Sequence, residues 1–123
     1  VILADTSIWV DHLRDGDDML ARLLGDDRVA MHPFVRGEIS LGRLRDRAGT
    51  LEALDTLPLV RLADDSEVRR LIEAAGLFGQ GIGYVDAHLL AAARLSPDTK
   101  VWSRDKRLAA AAERLGVAAR VVH

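Results

Sequence analysis

Cysteine is absent from this 123-residue chain. That excludes disulfides and thiolate zinc sites, and it fits a cytoplasmic protein. Lysine is scarce, at 2 residues against 15 arginines, and no Walker lysine follows a glycine-rich loop. Gly79-Gln80-Gly81-Ile82-Gly83 lacks the G-x-G-x-x-G spacing, because position 84 is Tyr, and it follows a helical pattern. It reads as a flexible turn. The histidines (His12, His32, His88, His123) include no H-x-x-x-H pair, which argues against a histidine zinc site. Ser7 lacks a G-x-S-x-G context, so a hydrolase triad is unsupported. An excess of positive charge is missing too: 17 basic residues meet 19 acidic ones, for a net charge of −2. That balance argues mildly against a generally basic nucleic-acid binder, although it counts any carboxylate that a metal would neutralise. No apolar run is long enough to span a membrane, and the Val1 end reads as a strand rather than a secretory leader.

What is present is a patterned chain. Apolar residues make up 49%, enough for a packed core, and the length suits one domain over residues 1–123. Val1–Ala4 reads as a short buried strand, Thr6–Arg14 and Asp17–Leu24 as helices, and Arg28–His32 as a second strand. Pro33 suits the first turn of a helix over Phe34–Arg45, and 47–56 reads as another helix. Leu57–Leu62 is a third strand, interrupted early by Pro58, and Asp64–Leu77 is a helix capped by Asp64, Asp65 or Ser66. Tyr84–Leu95 is a strongly apolar helix. Thr99–Trp102 is a fourth strand, Asp105–Leu115 a helix closed by Gly116, and Val117–Val122 a fifth strand. This alternation predicts an α/β fold with a five-stranded parallel sheet covered on both faces, a three-layer α/β/α domain. In such sheets ligands bind beyond the carboxyl ends of the strands, where strand order reverses. Asp5 and Asp105 both fall just after strands, so adjacent first and fourth strands would bring them to one crevice.

Acidic residues in apolar surroundings carry the chemistry. A carboxylate against apolar surface is costly unless it is paired or binds a metal. Asp5 ends the run Val1-Ile2-Leu3-Ala4, and with Thr6 and Ser7 it also reads as a helix cap. Glu38 has Phe34, Val35, Leu41 and Gly42 as helical neighbours, an apolar face from whose rim it could still reach water. Asp86 has Leu89, Leu90 and Ala93 at i+3, i+4 and i+7, so the core-facing stripe of its helix includes a carboxylate. Such a group needs a function or a buried partner. Asp105 follows a strand and also suits a helix first turn, with Ser103 as cap. Four converging carboxylates would make an oxygen-rich site for Mg²⁺ or Mn²⁺, which suggests phosphodiester chemistry. Arg43, Arg45 and Arg47 form one basic cluster and Arg104, Lys106 and Arg107 another. Both read as solvated helix faces, but the second flanks Asp105, where arginine could grip a phosphate backbone. Trp9 and Trp102 read as core.

Four stretches occur in a set order: Asp5-Thr6-Ser7-Ile8-Trp9-Val10-Asp11-His12-Leu13-Arg14, His32-Pro33-Phe34-Val35-Arg36-Gly37-Glu38, Gly81-Ile82-Gly83-Tyr84-Val85-Asp86-Ala87-His88-Leu89-Leu90, and Trp102-Ser103-Arg104-Asp105-Lys106-Arg107-Leu108. Together they resemble the PIN-domain ribonucleases, specifically the VapC toxins of bacterial toxin–antitoxin pairs, and they cover essentially the whole chain. The resemblance implies a PIN-like sheet of order 3-2-1-4-5, with the first and fourth strands adjacent. It implies one acidic catalytic pocket of Asp5, Glu38, Asp86 and Asp105 that binds Mg²⁺ or Mn²⁺. Asp5 and Asp86 are the expected principal ligands, and Glu38 and Asp105 complete the site or act through waters. Ser103 stands where the family commonly has Thr or Ser. Thr6 and Ser7 are expected to support the pocket, and Arg14, Arg104, Lys106 and Arg107 to bind RNA. The implied activity is endoribonuclease cleavage that leaves a 5′-phosphate and a 3′-hydroxyl. A homodimer is implied as well, as is a cognate VapB antitoxin that wraps the toxin, blocks its site and with it binds operator DNA. The rival readings are a DNA-directed or structure-selective nuclease on the same fold, a non-catalytic module that sequesters RNA or a partner, and a phosphoacceptor domain. The last wants a lysine in the pocket, and neither Lys100 nor Lys106 is well placed.

Overall fold

The structure is a computed structural model that describes residues 1–121. Its elements run β1 (Ile2–Ala4), α1 (Thr6–Asp15), α2 (Asp18–Gly25), β2 (Val29–Ala30), α3 (Pro33–Ser40), α4 (Arg47–Asp55), α5 (Asp65–Ala74), α6 (Tyr84–Leu95), β3 (Lys100–Trp102) and α7 (Lys106–Arg114). Aspartate starts most of the helices. The side chains of Asp5, Asp17, Asp46, Asp64 and Asp105 cap α1, α2, α4, α5 and α7 by accepting backbone N–H groups that have no partner within the helix. His32 does the same for α3 through Nδ1, which accepts from Phe34 N at 3.0 Å. At α6 the capping position is Gly83, which has no side chain to offer.

β1 is the centre of the sheet. It pairs in parallel with β2 (Ile2 with Val29, Leu3 with Ala30) and with β3 (Ile2 with Lys100, Leu3 with Val101, Ala4 with Trp102). Among the described residues the sheet has three strands in the order β2-β1-β3, which corrects the expectation of five. The two remaining segments reach the sheet but hold it by one parallel bridge each, Leu59 to Met31 and Ala118 to Val101. At the first, Met31 N donates to Pro58 O and Val60 N to Met31 O. Pro58 has no N–H with which to extend the ladder, and Leu59 and Leu62 then turn outward to solvent. At the second, Val101 N donates to Val117 O and Ala119 N to Val101 O. The end of the expected fifth strand, Val122, lies outside the described residues.

Because β2 and β3 flank β1 on opposite sides, the chain reverses direction across the sheet at β1, and the crevice beyond β1 and β3 receives Asp5 and Asp105. α6 packs against α5 and β3, and α1 against α3. Ala87 through Ala93 are all buried on α6, and the small alanines among them let the helix lie close to its neighbours. Leu3, Ile8, Leu20, Val35, Val68 and Leu90 are fully buried in the core beneath. α3 is shorter than the expected 34–45. Ser40 Oγ donates back to Gly37 O at 2.6 Å, and Leu41 and Gly42 close the last turn through Glu38 O and Ile39 O. Glu38 therefore sits at the carboxyl end of α3, and Leu41 beyond it is 87% exposed. No helix among the described residues is long and apolar enough to cross a membrane.

Candidate active site

Asp5 follows β1, is only 6% exposed, and is tied to β3 by its backbone N–H, which donates to Trp102 O at 3.0 Å. Both oxygens of its carboxylate accept hydrogen bonds. Oδ1 accepts from Ser7 Oγ at 2.5 Å and Ile8 N at 3.2 Å, and Oδ2 accepts from Ser103 Oγ. Ser103 Oγ in turn accepts from Asp105 N at 2.9 Å. One hydroxyl thus links Asp5 to the loop that presents Asp105. The Asp105 carboxylate caps α7 through Arg107 N at 2.8 Å and Leu108 N at 3.3 Å. Both aspartates are helix caps, as their local sequence suggests, and both also face the crevice where strand order reverses.

Asp86 stands in the first turn of α6, half-buried. Burial pushes its carboxyl above the ordinary aspartate pKa, and the charges of Asp5 and Asp105 push it further. A hydrogen bond with the Gly83 backbone opposes the rise, and the charge of Glu38 adds to it. The four predicted acids therefore share one electrostatic neighbourhood centred on Asp86. Glu38 is exposed on α3, as Asp105 is before α7, and its Oε1 accepts from Thr6 Oγ1 at 2.7 Å. It also lines a groove of about 280 Å³ with Val10, Leu13, Arg14, Arg43 and Arg45. Among the described residues none of the four carboxylates forms an ion pair with a lysine, arginine or histidine.

That arrangement bears on metal binding. All the donors are hard carboxylate oxygens, the type that suits Mg²⁺ or Mn²⁺, and the charge deficit at Asp86 is of the sign a cation relieves. Among the described residues, however, no three His, Cys, Asp or Glu side chains are gathered closely enough to hold a metal ion already. The fit is one of donor chemistry and charge.

The basic residues divide. Arg14 is paired with Asp11 and Asp15, both at 3.0 Å. Arg104 is paired with Asp11 at 2.7 Å and Asp17 at 2.6 Å. Arg107 lies over the backbone of Gly81, whose φ is +73°. Lys106 is exposed and makes no ion pair among the described residues. Sequence reasoning missed two features. One is the Asp11–Arg104–Asp17 network, whose partners lie far from Arg104 in the chain. The other is a cluster of rings in which His88 packs edge-on against Phe34 at 4.7 Å and Tyr84 at 4.6 Å, beside His32 at 6.2 Å. Tyr84 and His88 are four apart, a helical spacing that signals contact, but searching only for metal-binding histidines passes it by. His32 is 2% exposed with no hydrogen-bond partner at Nε2 among the described residues, and burial, followed by the charge of His88, lowers its pKa to about 4.

A parallel sheet with acids at its carboxyl edge, reached from α1, α3, α6 and α7, matches the PIN domain model over residues 2–114. The chain belongs to the PIN-domain family, in its VapC branch. It is similar to Ribonuclease VapC32 of Mycobacterium tuberculosis, from strain CDC 1551 / Oshkosh and from strain ATCC 25618 / H37Rv. Each comparison gives 43% identity over 118 residues, 96% of this chain and 95% of the relative.

Proposed function

We propose that this chain is the toxic component of a type II toxin–antitoxin pair, an endoribonuclease that depends on Mg²⁺ or Mn²⁺. The observation that carries the reading is Asp86, a half-buried carboxylate surrounded by the charges of Asp5, Asp105 and Glu38 and paired with no cation among the described residues. Clustered anions without a counter-charge mark a site arranged to receive one. The family and the name of the relatives point the same way.

Asp5 and Asp86 hold the cation, and Glu38 and Asp105 complete the site directly or through waters. A divalent cation bound there supplies Lewis-acid activation of water and stabilises charge developing on the phosphate. Ser7 and Ser103 aim the Asp5 carboxylate, and Thr6 steadies Glu38. Lys106 and Arg107, exposed beside Asp105, meet the RNA backbone. A cognate VapB antitoxin inhibits the enzyme, the toxin pairs with a second copy of itself, and operator DNA is bound through the antitoxin complex.

The test uses the purified chain, free of antitoxin, with total RNA and a DNA of matched sequence. Cleavage of RNA with Mg²⁺ or Mn²⁺ is expected, with loss of cleavage on adding EDTA. Asp5→Asn and Asp86→Asn are each expected to lower the rate by about 100-fold or more, the scale of removing a principal electrostatic group. Asn variants that cut as fast as wild type refute the carboxylate site, and cleavage of DNA alone refutes the ribonuclease.

A further inference from the structure

Arg104 lies between Ser103, which bonds Asp5, and Asp105, which caps α7. Its side chain reaches two other elements. Nη1 donates to Asp11 Oδ2 on α1 at 2.7 Å, and Nη2 donates to Asp17 Oδ2 at the cap of α2 at 2.6 Å. Asp17 is itself held firmly: its side chain is 10% exposed, its Oδ1 accepts from Leu20 N at 2.8 Å, and its backbone N–H donates to His12 Nδ1 at 3.0 Å. The guanidinium carbon sits 5.9 Å from the Trp102 ring centroid, the residue whose carbonyl receives the Asp5 N–H. The two ion pairs of this side chain therefore tie the loop between Ser103 and Asp105 to α1, which Asp5 caps, and to the start of α2.

We propose that Arg104 is a positioning residue for the acidic site, a strut that fixes the Ser103–Asp105 loop against α1 and α2. The proposal rests on the phosphodiester-cleavage reading for its consequence but not for its geometry. Arginine suits the task because its planar fork offers separate nitrogens to carboxylates on two elements, which a lysine ammonium on a flexible stem does not match. The strut holds the loop where Ser103 Oγ donates to Asp5 Oδ2 and accepts from Asp105 N. The competing role, a grip on the RNA phosphate, requires both terminal nitrogens to leave charge-assisted bonds first. It also places phosphate beside Asp11, Asp15 and Asp17, three carboxylates against the two guanidiniums of Arg14 and Arg104.

Arg104→Gln, Arg104→Lys, Asp11→Asn and the double variant Asp11→Asn with Arg104→Gln separate the two roles. Each is compared with wild type for kcat and KM on RNA, for Mn²⁺ affinity by calorimetry, and by crystal structure. For a strut, Arg104→Gln lowers kcat and Mn²⁺ affinity by about 10–100-fold, as for groups that orient metal ligands, with KM within about twofold. Arg104→Lys restores part of the loss. Asp11→Asn lowers kcat in the same direction, and the double variant is no worse than Arg104→Gln alone, because both break one network. For an RNA grip, Arg104→Gln raises KM at constant kcat, and Asp11→Asn lowers KM by freeing the guanidinium; either result overturns the proposal. The crystal structure depends on neither activity nor metal. Ser103 Oγ shifted away from Asp5 in Arg104→Gln supports the strut, and an unmoved loop overturns it. A wild-type protein that cuts no RNA removes the ribonuclease reading, while the structural result still decides the strut.

Discussion

Asp86 carries a charge that its surroundings oppose. Burial and three neighbouring carboxylates raise its pKa, and a hydrogen bond with the Gly83 backbone opposes them. Below the ordinary aspartate pKa the group is neutral whether the chain is folded or unfolded. As pH rises through that value the unfolded chain ionises first while the folded chain keeps its proton. Stability therefore falls until pH passes the raised folded pKa, and the deficit then stays constant. In metal-free buffer, Asp86→Asn is expected to raise Tm at about pH 7 and to bring little change at about pH 3, below the ordinary aspartate value. Thermal unfolding across that range checks it, and an Asn variant less stable than wild type at neutral pH contradicts the electrostatic account. Legibility at this scale differed by residue. Asp86 was visible in the sequence because a carboxylate on an apolar stripe violates the helical pattern. Asp5 and Asp105 read equally well as caps, and the structure shows that they are caps as well as members of the acidic neighbourhood. Glu38 gave the weakest signal, and like Asp105 it is exposed, whereas Asp5 is buried and Asp86 half-buried.

α6 is the element on which the site depends, since it brings Asp86 to the crevice while burying seven consecutive residues. Leu90 is 0% exposed and Leu95, at the end of the same helix, is 40% exposed. Leu90→Ala is expected to cost about 2–5 kcal/mol, through lost burial and the cavity left behind. Leu95→Ala is expected to stay within about 0.5 kcal/mol of wild type. Urea denaturation of both variants measures the contrast, and equal losses would mean that α6 is not packed as described. The span Tyr84–Leu95 is the same in pattern and structure because 12 mostly apolar residues without Gly or Pro are long for a strand and suit a buried helix. α3 is different. Its pattern runs on to Arg45, but Ser40 turns its hydroxyl to the backbone and Gly42 follows, so the helix stops five residues early. The expected strand over 57–62 failed for a related reason: periodicity marks a segment as extended, whereas a ladder needs a partner with free N–H groups in register, which Pro58 denies.

For the whole molecule, the net charge of −2 conceals a local excess of negative charge, where Asp5, Asp105 and Glu38 act on Asp86. A ligand that binds only the folded state stabilises it by mass action. Mg²⁺ or Mn²⁺ is therefore expected to raise the Tm of the wild type, by about 2.7 kcal/mol of stability at a hundredfold excess over Kd. The same titration is expected to leave Asp86→Asn nearly unmoved. The order of stability of the two proteins would then reverse between metal-free and metal-containing buffer. Calcium-free differential scanning fluorimetry with each cation measures it, and a wild-type Tm that does not respond to either cation refutes a folded-state metal site. The sequence by itself determined the alternating α/β pattern and the aspartate starts of α2, α5 and α7, because those follow from periodicity and capping within a few residues, and it offered the four acids as candidates. Only the tertiary structure decided that β1 is central, that Ser103 bridges Asp5 to Asp105, and that Arg104 is bound by Asp11 and Asp17. Each of these joins residues far apart in the chain, and no local pattern encodes which distant partner a side chain will meet.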